Sequence, residues 1–273
     1  MTVHDHLLRA KAPIPSTAWK AVDDEARERL TPLLAGRRLA DWSGVGGWQT
    51  SSVDLGRTTR LGGPPPGCED TAVHTRLRRV LPFAEFRVPF TVTRHEVEDL
   101  QRGSQDPELD DLARAARAAA VIENRAIFHG WPEAGIDGVD GVSPYEAQQL
   151  GENADDYPHV VACAVDQLRQ AGIEGPYALA ITPEGYTRIV QTTERGGYPL
   201  FEHLSRILGG QIVRAPGTDC ALVVGQRGGD FLLDVGQDLA IGYTDHDADV
   251  VHLYLEESFT FRVLEPDAAV VLR

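Results

Sequence analysis

The segment that most constrains the fold is a long arm at residues 42–66, which is rich in Gly, Pro, Ser and Thr and only weakly apolar. It runs into GGPPPG, a sequence that neither a helix nor a central strand accommodates. Its short Val, Thr and Trp patches are able to pair as strands. An arm of this kind in a compact domain is functional, disordered or packed on another subunit, and the residues alone leave these three alternatives open.

The charge balance restricts the partners that the chain can have. Its 273 residues contain 26 Lys and Arg against 41 Asp and Glu, which gives a formal net charge of −15. A net negative charge repels the phosphates of nucleic acids, which argues against a general role in nucleic acid binding. The only dense basic run is RLRR at 76–79, which we interpret as one exposed strand face. We therefore expect no nucleic acid partner.

The cysteines and the apolar runs indicate the compartment. Cys68, Cys163 and Cys220 lie far apart and form no Cys-x-x-Cys pair, so neither a disulfide framework nor a zinc site is implied. The N-terminus has no apolar run of signal-peptide length, and no segment approaches the roughly 18 apolar residues of a membrane span. We expect a reduced, cytoplasmic protein without a membrane partner.

Apolar periodicity predicts an α+β chain. A first amphipathic helix is expected to stop at Gly36, and an alanine-rich helix to begin with Asp106 as its cap and Pro107 in its first turn. A further helix is predicted at 158–170. Alternation predicts strands in the last third, where Glu257 is the exception on an otherwise apolar face.

The stretch RGGDF at 227–231 resembles a nucleotide-binding loop. A phosphate loop requires a helix after it, because the helix amides hold the anion. Here an apolar strand precedes the glycines, and Phe231, Leu233 and Val235 alternate after them as a second strand. We therefore interpret the stretch as the turn of a β-hairpin.

The acidic run DHDADVVH at 245–252 is the best candidate metal site. Its candidate ligands are Asp245, His246, Asp247, Asp249 and His252. Because they lie on a short loop that runs into a strand, where alternate side chains point apart, a solvated loop is favoured and we predict no metal site.

The remaining histidines and motifs predict no enzyme activity. The histidines at 95, 129, 159 and 203 have no carboxylate or Cys neighbour at a useful spacing. The chain contains no G-x-S-x-G, no H-E-x-x-H, no Walker loop and no G-x-G-x-x-G. We therefore expect no catalytic residues.

A series of segments, in order from about residue 12 to the C-terminus, matches one known family. They are Trp19 with Gly36, Arg37, Arg38 and Asp41; FTVTRHEVEDLQRG (90–103); ENRAIFHG (123–130); GIEGPYALAIT (172–182); GYPLFEHL (197–204); RGGDFLLDVGQDLAIGY (227–243); and VHLYLEESFTFRVL (251–264). In these motifs the chain resembles the encapsulin shell proteins, and most closely the linocin-type members.

The resemblance implies the Hong Kong 97-type phage major capsid fold and icosahedral self-assembly of about 60 copies, or a multiple, by closed symmetry. The implied parts are an N-terminal helix region lining the shell interior (1–41), an E-loop (42–80), a P-domain (81–156 and 223–273) and an A-domain (157–222). The Gly/Pro-rich arm would then be an E-loop that pairs with a neighbouring subunit.

The resemblance also implies a groove that binds a targeting peptide at the C-terminus of a cargo enzyme. Leu30 and Leu33 would form its apolar floor, and Arg37 and Asp41 would fix the register of the peptide. The facing wall would contain Asp238 and Ile241. Without such a groove, Arg37 and Asp41 would be only a helix cap and a salt bridge.

Two further features follow from the resemblance. Glu194, Arg195, Gly196 and Gly197 stand where relatives have a five-fold pore loop, and the glycine at 197 replaces a histidine of some relatives, so we expect no pH- or metal-sensitive pore. One relative binds flavin through an Arg and a Trp. Arg87 matches that Arg, whereas His95 replaces the Trp, so we expect no cofactor.

The predicted function is that of a structural shell enclosing a cargo enzyme with pore-limited access. In relatives the cargo is often a dye-decolorising peroxidase or a ferritin-like iron oxidase, which implies a role in oxidative stress or iron storage. One alternative is a viral or prophage major capsid protein, which the acidity and the absence of a scaffolding stretch before the first helix disfavour. Another is a metal-dependent hydrolase using the 245–252 cluster, which strand geometry disfavours.

Overall fold

The computed structural model describes residues 6–68, 72–151, 153–194 and 196–273. The helices in these ranges are Ser16–Leu30 (α1), Arg94–Arg102 (α2), Asp110–His129 (α3), Val139–Val142 (α4), Tyr157–Gln170 (α5), Pro183–Gln191 (α6) and Leu200–Leu208 (α7). The strands are Asp41–Val45 (β1), Ser52–Arg60 (β2), Arg76–Pro82 (β3), Ala84–Thr93 (β4), Tyr177–Ile181 (β5), Ile212–Arg214 (β6), Ala221–Gly225 (β7), Phe231–Val235 (β8), Ala240–His246 (β9), Val250–Val263 (β10) and Ala269–Leu272 (β11). No helix of the described chain has the length and apolar character needed to cross a membrane.

The alanine-rich helix α3 forms the spine of the larger half of the molecule. Its buried alanines let it pack closely on β4, β10 and α1. The helix begins at Asp110, so the predicted cap at Asp106 is wrong. The chain before it instead forms the separate helix α2, which ends at Gly103 in the left-handed conformation (φ 99°).

The first helix also ends earlier than predicted. Helix α1 stops at Leu30, and Gly36 opens a short 3-10 helix, Gly36–Arg38. The Gly36 N–H donates to Asn124 Oδ1 at 3.0 Å, and a Cβ at this position would lie 2.3 Å from Ile127 Cδ1. A larger residue would therefore force the buried Ile127 side chain to shift, and glycine lets the segment that carries Arg37 pack closely on α3.

The larger sheet has β10 at its centre. Its order is β1-β8-β10-β4, with β9 also paired to β10; β1 and β8 run parallel, and β10 is antiparallel to β4, β8 and β9. Strand β10 is buried on both faces along most of its length, including Glu256 and Glu257. Because successive side chains of a strand point to opposite faces, these two carboxylates face different layers of the protein.

The smaller sheet has the order β11-β7-β5-β6 and packs against α5, α6 and α7. Strand β5 is wholly buried, as its apolar sequence predicts. Strand β11 pairs with β7, and the boundary predicted between residues 222 and 223 falls inside β7. Residues 221–225 and 269–272 therefore belong to one sheet, whereas the predicted division splits them and assigns the last strand to the P-domain.

The RGGDF stretch is a turn but not a hairpin. Strand β7 lies in the smaller sheet and β8 in the larger one, so the two strands that flank the turn do not pair with each other. Gly228 and Gly229 have φ of 86° and 85°, and Arg227 pairs with Asp230 across the turn. The hairpin prediction is wrong because alternation identifies strands without identifying their partners.

The arm at 42–66 contains most of β1, which pairs with β8 of the larger sheet, and β2, which forms a two-stranded antiparallel ribbon with β3 beyond the arm. Its patches pair as strands, as predicted, and the RLRR run lies exposed on β3. Large apolar side chains stay in solvent along the ribbon, among them Leu61, Leu77 and Val80. Within the described part of the chain, these three side chains are therefore left without cover.

Candidate functional site

A groove of about 370 Å³ lies between the C-terminal half of α1 and the segment leading into β9. Its apolar lining comes from Ala26, Leu30, Leu34, Leu239, Ala240, Ile241 and Leu255. Its polar lining comes from Arg9, Asp23, Arg27, Thr31, Arg37 and Asp238. An apolar floor with a polar rim is the usual composition of a ligand-binding cleft.

Arg37 forms one end of the groove and contacts three carboxylates. Its Nε donates to Glu123 Oε2 at 2.7 Å, Nη1 to Asp238 Oδ1 at 2.9 Å and Nη2 to Glu257 Oε1 at 2.7 Å. Its guanidinium also lies 4.7 Å from the ring centroid of Trp42. Each of the three guanidinium nitrogens of Arg37 thus donates to a carboxylate of the protein itself. Through these contacts Arg37 joins α3, β10 and the loop before β9.

Two of the three carboxylates are fully buried. Burial raises the pKa of Glu123, which the Arg37 charge opposes, and burial followed by the Glu123 charge raises the pKa of Glu257 well above its ordinary value. The carboxyl oxygens that Arg37 does not contact, Glu123 Oε1 and Glu257 Oε2, are buried without a hydrogen-bond partner in the part of the chain that the structure describes. We interpret them as a pair that shares one proton, which leaves Arg37 balanced by one buried and one half-exposed negative charge.

The structure brings together four of the six residues that the sequence assigned to the groove. Leu30, Arg37, Asp238 and Ile241 line it. Leu33 does not line it and packs half-buried against the core. Asp41 lies elsewhere, where its Oδ2 accepts a hydrogen bond from the Gly229 N–H of the RGGDF turn.

Sequence reasoning missed most of the groove lining, including the ion pair of Arg9 and Asp23. Arg9 donates to Asp23 through both terminal nitrogens, at 3.0 and 2.6 Å, and lies 4.0 Å from the centroid of Trp19. Arg9 belongs to a short 3-10 helix that precedes α1 and has no periodic signal. Only the folded chain shows that it closes one end of the groove.

The predicted pore loop is a tight turn held at its base by α7. Gly196 and Gly197 have φ of 110° and 81°, a conformation that favours glycine. The Glu194 Oε1 lies 2.6 Å from His203 Nδ1. Arg195, the fourth residue predicted for this loop, lies outside the described residues.

Arg87 and His95 lie in separate interactions. Arg87 Nε is 2.7 Å from Glu256 Oε2, and its guanidinium lies 4.7 Å from the ring centroid of Tyr254. His95 opens α2, where its Nδ1 lies 2.7 Å from Asp99 Oδ2. The arginine is thus paired with a buried carboxylate, on the opposite face of β10 from Arg37.

The acidic run at 245–252 forms the turn between β9 and β10. Asp247 accepts hydrogen bonds from the N–H groups of Asp249 and Val250, which hold the pKa of Asp247 below its ordinary value. His252 Nε2 stays 3.9 Å from Asp245 and 3.8 Å from Asp247. No three of its candidate ligands converge among the described residues, so the hydrolase alternative is not favoured.

Comparison with known proteins identifies the family. The family profile described as "Encapsulating protein for peroxidase" matches residues 4–260. A type 1 encapsulin shell protein of Rhodospirillum rubrum is 47% identical over 268 residues, covering 98% of this chain and 96% of that protein. The type 1 encapsulin shell protein of Mycobacterium tuberculosis is 39% identical, covering 98% and 99% of the two chains. These relatives are named as shell proteins and not for an enzymatic activity.

Solved structures identify the fold. The virus-like particle protein of Pyrococcus furiosus superposes with a TM-score of 0.62 at 17% identity, covering 94% of this chain and 98% of that one. A protein from Mycobacterium phage Bobi gives a TM-score of 0.56 at 15% identity, covering 88% and 90%. The fold is therefore the α+β Hong Kong 97-type capsid fold, as the motifs predict. The chain belongs to the encapsulin shell protein family, whose members assemble into protein nanocompartments.

Proposed function

We propose that this shell protein captures a cargo enzyme through a C-terminal peptide of the cargo that lies in the groove between α1 and β9. The observation that carries the proposal is the groove itself, which joins an apolar floor to a polar rim. The family description, which names a peroxidase as the encapsulated protein, supports an enzyme as the cargo.

The contacts that Arg37 already makes within the protein limit what the cargo peptide can contact. Because the guanidinium is held by Glu123, Asp238 and Glu257, it orders the wall and leaves recognition to other groups. Leu30 and Ile241 offer apolar contacts at the floor. An extended peptide that places alternate apolar side chains on this floor fits the site.

The arm supplies the surface for assembly. A hairpin with exposed Leu61, Leu77 and Val80 gains stability when a second subunit covers it, since the uncovered apolar area is removed from water. We place the contact between copies of this chain at β2 and β3. The closed assembly contains about 60 copies or a multiple of that number, and Glu194, Gly196 and Gly197 lie beside an opening for small molecules.

Electron microscopy of the purified chain tests assembly. Shells of megadalton mass are expected, because each subunit contributes an arm that only a neighbour can cover. A chain that elutes as a monomer or dimer in size-exclusion chromatography would contradict the proposal.

Blocking the groove tests cargo capture. Thr31 is exposed at the rim, so T31W fills the groove and is expected to reduce co-purification of a co-expressed dye-decolorising peroxidase at least tenfold. The matched control is E28W, an equally exposed position of α1 outside the groove. Both variants must still form shells in negative-stain images.

Co-purification with the wild-type shell tests which class of enzyme is the cargo. If the peroxidase does not co-purify, a co-expressed ferritin-like protein is the second probe. Failure of both probes, or equal loading of T31W and wild-type shells, would overturn capture in the groove while leaving assembly unaffected.

A further inference from the structure

A cluster outside the groove brings three different metal-binding side chains together. His129 ends α3, and Asp219 and Cys220 lie immediately before β7. One ligand atom from each (an imidazole nitrogen, a carboxylate oxygen and a sulfur) lies within 4.8 Å of the other two. We infer that His129, Asp219 and Cys220 form a binding site for a divalent transition-metal ion of the zinc class, independently of cargo capture.

The spacing suits a tetrahedral ion. Zinc bonds of about 2.0–2.3 Å place its ligand atoms roughly 3.5 Å apart. His129 Nε2 and Asp219 Oδ1 are already 3.5 Å apart. Asp219 is largely exposed and therefore free to close onto an ion, while Cys220 is held in the protein interior.

A second carboxylate orients the imidazole. His129 Nδ1 lies 2.7 Å from Asp140 Oδ2, and both side chains are mostly buried. This contact keeps the proton on Nδ1, so the lone pair of Nε2 points toward Asp219 and Cys220, where it accepts a long 3.3 Å hydrogen bond from the Asp219 N–H. A carboxylate behind a metal-binding histidine is the usual arrangement in zinc proteins.

The local field favours a cation. His129 lies at the C-terminal end of a 20-residue helix, where the helix dipole is negative, and Asp140 and Asp219 add two carboxylates. The positive charge of Arg273 acts on Cys220 in the opposite direction to these carboxylates. Cys220 is buried, and binding of a metal ion would replace its thiol proton, which passes to water.

The other grouping of this kind among the described residues differs in each respect. His95, Glu96 and Asp99 lie on one turn of the surface helix α2, without a cysteine. Asp99 is already paired with Arg102 as well as with His95. A buried cysteine, whose sulfur is a soft ligand, therefore distinguishes the His129 cluster.

Cobalt binding tests the inference. Purified full-length shells are stripped with a chelator and titrated with Co²⁺ alone, and we expect one ion per chain with a thiolate-to-cobalt charge-transfer band in the near ultraviolet. Zn²⁺ should displace the cobalt and abolish the band. The variant C220S should lose the band, and D140N should weaken cobalt affinity about 10- to 100-fold.

The matched control is C163S. Cys163 lies 3.8 Å from His159 on the surface of α5 and is the competing thiol–imidazole pair. Absence of the band in wild-type shells, its survival in C220S or its loss in C163S would each overturn the site. Should C220S fail to form shells, D219N replaces it, because Asp219 is exposed and its loss spares the core; unchanged cobalt affinity in D219N would remove Asp219 from the site.

Discussion

Two neighbouring residues of β10 show how one strand serves two layers of the protein. Glu256 and Glu257 are both fully buried and face opposite sides of the sheet. Glu257 meets Arg37, which is mostly buried, together with a second buried carboxyl, Glu123. Glu256 meets Arg87, which is half exposed, and His6, 3.3 Å away.

The difference lies in how each negative charge is balanced. On the groove side one guanidinium serves three carboxylates, and the shared proton that we infer reduces the excess of negative charge. On the other side one carboxylate has two basic neighbours, one of which is in contact with solvent. A buried charge left without its partner is costly, so the two faces should respond differently to loss of their arginine.

The largest effect is expected from R37A. It leaves Glu123 and Glu257 buried without a cation, and we expect a loss of about 3–5 kcal/mol in the free energy of unfolding. Thermal unfolding of the assembled shells, or a failure to assemble at all, measures it. An R37A shell as stable as the wild type would show that the contacts of Arg37 with its three carboxylates do not stabilise the fold.

A smaller effect is expected from R87A. Arg87 is half exposed, so water can reach Glu256 when the arginine is removed, and a loss of about 1–2 kcal/mol is expected. Measured beside R37A under the same conditions, it tests the comparison directly. Equal losses in the two variants would show that the two faces of β10 do not differ in the way proposed.

The smallest effect at neutral pH is expected from E257Q. The amide can donate to Glu123 and accept from Arg37, as the protonated carboxyl does, so stability should change by less than about 1 kcal/mol. Since the folded pKa of Glu257 is raised, its contribution is present below about pH 4.5, its ordinary value, and is lost as pH rises through the raised pKa.

E257Q should therefore flatten the dependence of the free energy of unfolding on pH in the range above about pH 4.5. E28Q, on the exposed face of α1, serves as the control and should keep the wild-type slope. Chemical unfolding midpoints across the pH range provide the measurement. An unchanged slope in E257Q would show that Glu257 does not carry the shared proton.

Local pattern predicted much of the secondary structure. The helix expected at 158–170 is α5, Tyr157–Gln170, and the strands expected in the last third include β8 to β11. Both predictions depend on near neighbours in sequence, namely apolar period and turn residues. Helix starts were less accurate: Asp106 and Pro107 have the right composition for a cap, yet packing placed the start of α3 at Asp110.

The histidines show a different kind of failure. All four that were expected to lack neighbours have one: His95 and His159 at i,i+4 on their own helices, and His129 and His203 through the fold. Helical spacing would have revealed the first two. The other two depend on where α3 and α7 end in space, and no spacing rule predicts that.

The sequence by itself determined the α+β class, most of the elements and, through ordered motifs, membership of the encapsulin family, because these depend on local patterns. It also marked Glu257 as a charge on an apolar face. Only the tertiary structure decided which charges meet. Arg37 contacts carboxylates that lie 86, 201 and 220 residues away along the chain. Such contacts arise when helices and strands pack, and a pattern read along the chain contains no record of that packing.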